Sequence, residues 1–340
     1  MKGLKKSIYF MLWFLMIAGL VFSYTNASAT EKPPKFLELG AALCMSGPAA
    51  AWGIEMDRCL KLAADEINAA GGFVAGGQRY HWKIITYDTA YVPSKAVDAV
   101  TKLVEKEKVK FMSVIGAGLQ AAVQPIYEPA GVLNICAGRS AAYFMGKDHP
   151  LTFASYTSIG PVNLVTYPHF RDKLRVKTVA LINPDDAYGR DSSKDSRKAA
   201  EFLGLKVVVE EFYERGTSDF YPLLTRVMAT KPDMIDTGVG PVSSNALLVK
   251  QAYELGYKGV HYIGNPGSPE VAIKIAGAKT LEGAYMPDMP LAQTPEQLAF
   301  QKKVIAKYGE AGWSSMMFDF YADYLWPLTK AIEAADSIDP

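Results

Sequence analysis

Residues 179–209, VALINPDDAYGRDSSKDSRKAAEFLGLKVVV, decide the fold. The apolar run Val179-Ala-Leu-Ile182 predicts a strand, residues 192–203 a helix, and Lys206-Val-Val-Val209 a second strand. Such a unit lays its two strands parallel, with a right-handed crossover. The same order stands earlier in the chain. Phe36-Leu-Glu-Leu-Gly-Ala-Ala-Leu-Cys44 reads as a strand ended by Ser46-Gly47-Pro48. Over 53–69 the residues Ile54, Cys59, Leu62, Ala63 and Ile67 share a helical face, stopped by Gly71-Gly72. Trp82-Lys-Ile-Ile-Thr-Tyr87 is the next strand.

Each unit continues. A helix over 94–106, strand Phe111-Met-Ser-Val-Ile115, a helix over 120–127 and strand Val132-Leu-Asn-Ile-Cys136 extend the first. A helix over 220–228, strand Met234-Ile-Asp-Thr237, a helix over 244–255 and strand Tyr262-Ile-Gly264 extend the second. The predicted fold is therefore α/β: two doubly wound parallel-sheet lobes. Helical pattern resumes at Glu296 and over 318–335, predicted to pack back on the first lobe. With crossings at 155–161 and 283–290, lobe 1 takes 36–157 and 288–340, and lobe 2 takes 158–287.

The chain has 340 residues, 49% hydrophobic and 21% charged, enough apolar material for sizeable cores. Lys+Arg 36 against Asp+Glu 35 leaves a formal charge of +1, which carries no electrostatic footprint for nucleic acid. Lys2, Lys5 and Lys6 precede an uncharged apolar run over 8–22, and Ala27-Ser28-Ala29 offers a small-residue cleavage site. Residues 1–29 thus read as a secretory signal peptide, the run being shorter than the roughly 18–20 residues that span a bilayer. Its removal takes the charge to −2, and no cysteine follows the run to carry a lipid. In an oxidising compartment one pair of Cys44, Cys59 and Cys136 could form a disulfide and leave one thiol over, or all three are small buried hydrophobes; no pair has metal-ligand spacing.

In open parallel sheets the ligand site lies beyond the carboxyl ends of the strands. Gly116-Ala117-Gly118-Leu119-Gln120-Ala121 follows a strand and opens a helix. As G-x-G-x-x-A it imitates a dinucleotide fingerprint, with Arg139 as a 2′-phosphate partner. However, it follows the third strand, where the fingerprint belongs after the first, and export as an unfolded chain disfavours a nicotinamide cofactor. Glycines at a helix start suit a carboxylate instead. Ser46 and Trp52 form another rim, and Trp52 reads either as a stacking wall or as a half-buried packing residue. Tyr188 either faces the ligand from the second lobe or packs on its own lobe; Arg139 either forks an anion or forms an exposed salt bridge. His81, His149, His169 and His261 make no metal site. No G-x-S-x-G turn exists, and Asp185, Asp186, Asp191 and Asp195 lack a calcium-loop order, reading as a solvated face and helix start. No catalytic residue, metal or cofactor is expected, and the chain is not read as an enzyme.

The sequence resembles the periplasmic substrate-binding proteins of the branched-chain amino acid (Leu/Ile/Val) type that serve ABC importers. Met45-Ser-Gly-Pro-Ala-Ala-Ala-Trp-Gly53, Leu62-Ala-Ala-Asp-Glu-Ile-Asn-Ala-Ala-Gly-Gly72 with Gly76-Gly77, Ile84-Ile-Thr-Tyr-Asp88 and Lys95-Ala-Val97 carry it in the first lobe. Ala187-Tyr-Gly189, Thr217-Ser-Asp-Phe220, Lys231-Pro-Asp233 and Gln251-Ala-Tyr-Glu-Leu-Gly256 carry it in the second. The resemblance implies a type I periplasmic binding protein whose lobes close about a hinge on a small-molecule ligand. It implies that Ala117, Gly118 and Leu119, with Gly138, Arg139 and Ser140, hold a carboxylate. Trp52 covers the ligand, Tyr188 and the loop Val239-Gly240 reach it from the second lobe, and Phe318 or Tyr321 stands near the hinge. It further implies a periplasmic monomer partnered by a permease in the inner membrane; a ligand sensor of the same fold is the alternative.

Two departures stand out. The first loop has no hydroxyl, and Asn265-Pro266-Gly267 has no acid where amino-acid binders pair the ammonium. An unpaired buried ammonium costs several kcal/mol. A small apolar or aromatic carboxylate is therefore expected over a standard amino acid, unless Glu270 or Asp185 substitutes. The family also usually continues beyond Ile338-Asp339-Pro340, so a truncated C-terminus is expected.

Overall fold

The computed structural model describes residues 33–47, 49–136, 145–154, 159–264, 269–287, 294–309 and 324–340. The signal-peptide reading of 1–29 falls outside them.

Strand β1 (Lys35–Leu43) leads into helix α1 (Ala50–Ala69), followed by β2 (Phe73–Ala75) and β3 (Gln78–Asp88). Then come α2 (Pro93–Thr101), β4 (Phe111–Val114), α3 (Gln120–Tyr127), β5 (Leu133–Cys136) and β6 (Thr152–Ala154). These strands form one sheet in the order β2-β3-β1-β4-β5-β6, parallel except for β2. The β2–β3 hairpin turns on Gly76 and Gly77, whose φ of +56° and +66° match the paired left-handed residues of a type I′ turn.

Helix α4 (Ile159–Lys173) precedes β7 (Thr178–Pro184), α5 (Ala187–Phe202), β8 (Lys206–Tyr213), α6 (Tyr221–Ala229) and β9 (Met234–Asp236). Helix α7 (Val242–Glu254), β10 (Val260–Tyr262), α8 (Pro269–Ala276), α9 (Ala278–Leu281) and β11 (Ala284–Tyr285) follow. The second sheet is parallel throughout, in the order β11-β10-β9-β7-β8. In each sheet the first strand of its βαβ unit lies between two later ones, β1 between β3 and β4, β7 between β8 and β9. That is the doubly wound arrangement, and it places a switch point beside β1 and β7.

Period-two alternation in β7 feeds two cores. Ala180 and Ile182 meet Leu224, Val227 and Leu248 on one face, and Val179 and Leu181 meet Tyr167, Phe170 and Tyr262 on the other. Two late helices, α10 (Pro295–Tyr308) and α11 (Leu325–Ala335), send Phe300, Val304, Leu325, Leu328 and Ile332 into the core of the first sheet. Trp82, 2% exposed, lies 5.0 Å from the Phe73 ring and donates Nε1–H to Thr329 Oγ1 at 2.8 Å. All three cysteines are buried free thiols, and burial pushes Cys44 up to about 12.

Several expected boundaries move. Helix α5 starts at Ala187, five residues ahead of the expected 192, because Asp186 caps it by accepting from the Gly189 N–H at 2.8 Å. Strand β8 runs to Tyr213 and not to Val209, since its ladder with β7 continues from Leu181 opposite Glu210 to Pro184 opposite Tyr213, with Glu210 and Glu211 neutralised by Arg197 and Arg226. Strand β10 is Val260–Tyr262, set by pairing His261 with Ile235 and Tyr262 with Asp236. Pro161 falls inside helix α4, and the second expected crossing contains β11.

Candidate functional site

The carboxyl ends of β1, β3 and β4 carry the first rim. Asp88, ending β3, gathers it: the Met45 and Ala90 N–H groups donate to Oδ1 at 2.8 Å, and Ser46 Oγ donates to Oδ2 at 2.6 Å. Burial alone would raise the Asp88 carboxyl, but these hydrogen bonds outweigh it and hold it below the usual range. Ser46 is thus exposed but tied to Asp88. Beyond it Ala90 and Tyr91 adopt φ of +47° and +58°, a left-handed pair unusual for such residues. That turn drives the Tyr91 ring inward, 6.2 Å from Trp52 and edge-on to it. Trp52 is half-buried in the first turn of α1 and packs on the core, the packing reading of that residue.

Gly116 is required here. With φ +107°, a Cβ there would stand 2.6 Å from the Tyr91 ring. The following turn, Ala117–Leu119, is 3-10 and opens α3. Leu119 turns its side chain into the core, 1% exposed, and donates its N–H to the Gly116 carbonyl at 3.0 Å. Gly118 faces the other rim: a Cβ on it would lie 3.3 Å from Asp186 Oδ2.

The second rim repeats the first. Trp52-Gly53 in α1 and Tyr188-Gly189 in α5 each place a glycine where the helix presses on the end of the preceding strand. A Cβ would stand 2.3 Å from the Cys44 carbonyl in one and 2.0 Å from the Pro184 carbonyl in the other. Tyr188 is buried with Ile159 and Val239, the packing reading of that residue. Gly240 lets Tyr213 and Asn245 close on the backbone; a Cβ would meet the Tyr213 hydroxyl at 2.1 Å.

Sequence reasoning missed the group that joins the rims. Arg215, just past β8, lays its guanidinium on Tyr91, Cζ 4.5 Å from the ring centroid, and donates Nε–H to Asp186. Burial would discharge Arg215, but Tyr91 and Asp186 outweigh it and keep it cationic. Its Nη1 and Nη2 are buried with no hydrogen-bond partner among the described residues, as are Asn183 Nδ2 and Asn245 Oδ1 on the same rim. An unpaired charged donor costs at least about 1–3 kcal/mol, so this group is poised to meet an acceptor. Below the rim, Asp236 accepts from Tyr167 Oη at 2.6 Å and the Gly238 N–H at 2.7 Å, and burial raises it to about 6.

Gly138, Arg139, Ser140, Pro266, Phe318 and Tyr321 lie outside the described residues. Among the described residues, no three His, Cys, Asp or Glu side chains gather to hold a metal, and no helix is long and apolar enough to cross a membrane. Asp185 is engaged by Arg190, which removes it as the free acid an ammonium would need.

The sequence model of the family described as periplasmic binding protein matches residues 37–340. A leucine-, isoleucine-, valine-, threonine-, and alanine-binding protein of Pseudomonas aeruginosa is 27% identical over 331 residues, covering 96% of this chain and 84% of that one. A crystal structure of the leucine binding protein LivK from Thermotoga maritima superposes with TM-score 0.75 at 22% identity, covering 89% of this chain and 84% of that one. A solute binding protein from R. palustris, solved in complex with 4-hydroxybenzoate, superposes with TM-score 0.72 at 21% identity, covering 90% and 83%.

Proposed function

The chain belongs to the periplasmic binding protein family, of the branched-chain amino acid (Leu/Ile/Val) type, and from that premise we propose that it captures a small carboxylate-bearing solute for an ABC importer. The family binds solutes and is not enzymatic, and neither is this chain. The observation that carries the proposal is the meeting of the two rims: Gly118 against Asp186, and Tyr91 against Arg215. Both pairs stand beyond the carboxyl ends of parallel strands, the side on which α/β proteins hold ligands.

In this reading lobe 1 comprises 36–157 and 288–340, lobe 2 comprises 158–287, and the segments between them flex as a hinge. The turn at Ala117, Gly118 and Leu119, together with Gly138, Arg139 and Ser140, takes the carboxylate. Ser46, Trp52, Tyr188 and Gly240 shape the walls, and Pro266, Phe318 and Tyr321 complete the site. A ligand touching both faces stabilises the closed form, which a permease in the inner membrane then recognises. The protein works as a monomer in the periplasm, delivered there by the signal peptide of residues 1–29. The fold accommodates such ligands: a structure sharing it holds 4-hydroxybenzoate.

Mass spectrometry of material released from the purified protein, followed by thermal-shift screening of carboxylic acids and amino acids, tests this. Stabilisation by at least one carboxylate supports the reading. Stabilisation only by uncharged or cationic solutes overturns it.

A further inference from the structure

Arg215 has more donors than the protein uses. Its Nε serves Asp186 and its plane covers Tyr91, while Nη1 and Nη2 are buried without an acceptor among the described residues. The acids near this rim are engaged: Asp186 by Arg215 and the Gly189 N–H, Asp185 by Arg190, Asp236 by Tyr167 and the Gly238 N–H. Asn183 Nδ2 adds another unpaired donor, and the unpaired acceptor Asn245 Oδ1 is neutral. A buried guanidinium whose Nη1 and Nη2 have no acceptor among the described residues offers its donors to the oxygens of an anion and has nothing to accept from an ammonium.

The first-lobe turn stands directly across. Gly118 approaches Asp186, the residue that holds Arg215 in place. A ligand anchored by one carboxylate on that turn therefore presents its other end to the guanidinium fork. Resting on the carboxylate reading above, we propose that Arg215 forms a second anion subsite and that the ligand is a short dicarboxylate bridging the two lobes. Each carboxylate binds one lobe, so closure and recognition are the same event. The planar fork of arginine suits a bidentate carboxylate, which lysine cannot reproduce.

Calorimetry on the full chain tests this with succinate and glutarate against butyrate, valerate and L-leucine. The diacids are expected to bind about tenfold or more tighter than the matching monoacids. Arg215→Gln is expected to weaken diacid binding by about tenfold to a hundredfold and to erase the preference, since charged hydrogen bonds are lost. Arg215→Lys, which keeps the charge, is expected to fall between; it carries the comparison if the Gln variant loses its cooperative melt. Monoacids or leucine binding as tightly as the diacids would overturn the subsite and leave the carboxylate reading standing, as would an unchanged diacid preference in the variants. Failure of every acid tested, mono- and dicarboxylate alike, with binding of uncharged solutes, would overturn both.

Discussion

Arg215 lies over the ring of Tyr91, its Cζ 4.5 Å from the ring centroid, and this stacking joins the end of β8 in one sheet to the turn after β3 in the other. The contact fixes how closely the two rims approach. On the proposed hinge closure, it is also the contact that opening of the cleft must break.

A desolvated cation–π contact is worth about 1–2 kcal/mol. Tyr91→Leu is therefore expected to weaken binding of the captured acid about fivefold to thirtyfold, because the closed form loses that energy. Tyr91→Phe keeps the ring and is expected to stay within about twofold of the wild type. Calorimetric titration of both variants checks this; equal losses in the two would assign the effect to the hydroxyl.

Gly118 and Gly240 are both small for steric reasons, but different ones. A Cβ at Gly118 meets the opposite rim at 3.3 Å, whereas at Gly240 it meets Tyr213 of its own lobe at 2.1 Å. Gly118→Leu is thus expected to wedge the cleft and cut affinity about tenfold or more while leaving the melting temperature nearly unchanged. Gly240→Ala is expected to lower stability by about 1–3 kcal/mol through overpacking. Melting curves and titrations of the pair separate the two effects.

His261 is 8% exposed beneath Tyr257, and burial pushes it down to about 4. The unfolded chain takes up its proton near 6.5, so acidification favours unfolding from about 6.5 down to about 4 and no further. Asp236 works the other way: raised to about 6 by burial, it adds stability as the pH falls through that value. His261→Phe removes the histidine contribution alone. Its stability relative to the wild type is expected to rise by about 3 kcal/mol between pH 7 and pH 4, as read by urea unfolding. Parallel pH profiles would contradict this.

The sheets were legible because β1 and β7 are short apolar runs followed by helical patterns, and a buried central strand leaves that mark. Helix α4 was not, since Pro161 and Pro168 break its pattern and its apolar residues do not gather on one stripe. The site was half legible. Glycines after strands pointed to Gly118 and Gly240, because only a bare backbone fits so close to the opposite rim at one and to Tyr213 of its own lobe at the other. Arg215 escaped notice because the Glu210-Glu211 pair reads as the end of a strand, although pairing with β7 carries β8 on to Tyr213. A residue just past a strand end can be recognised only when the end itself is placed correctly. Tyr91 was hidden by a left-handed turn at Ala90 and Tyr91 that no glycine or asparagine announces.

Small-angle X-ray scattering of the purified protein, with and without a saturating carboxylate identified by calorimetry, tests capture between two closing lobes most directly. The bound protein is expected to show a smaller radius of gyration than the free protein, with Gly118→Leu remaining at the free value. Superimposable curves for free and saturated wild-type protein would contradict closure on the ligand.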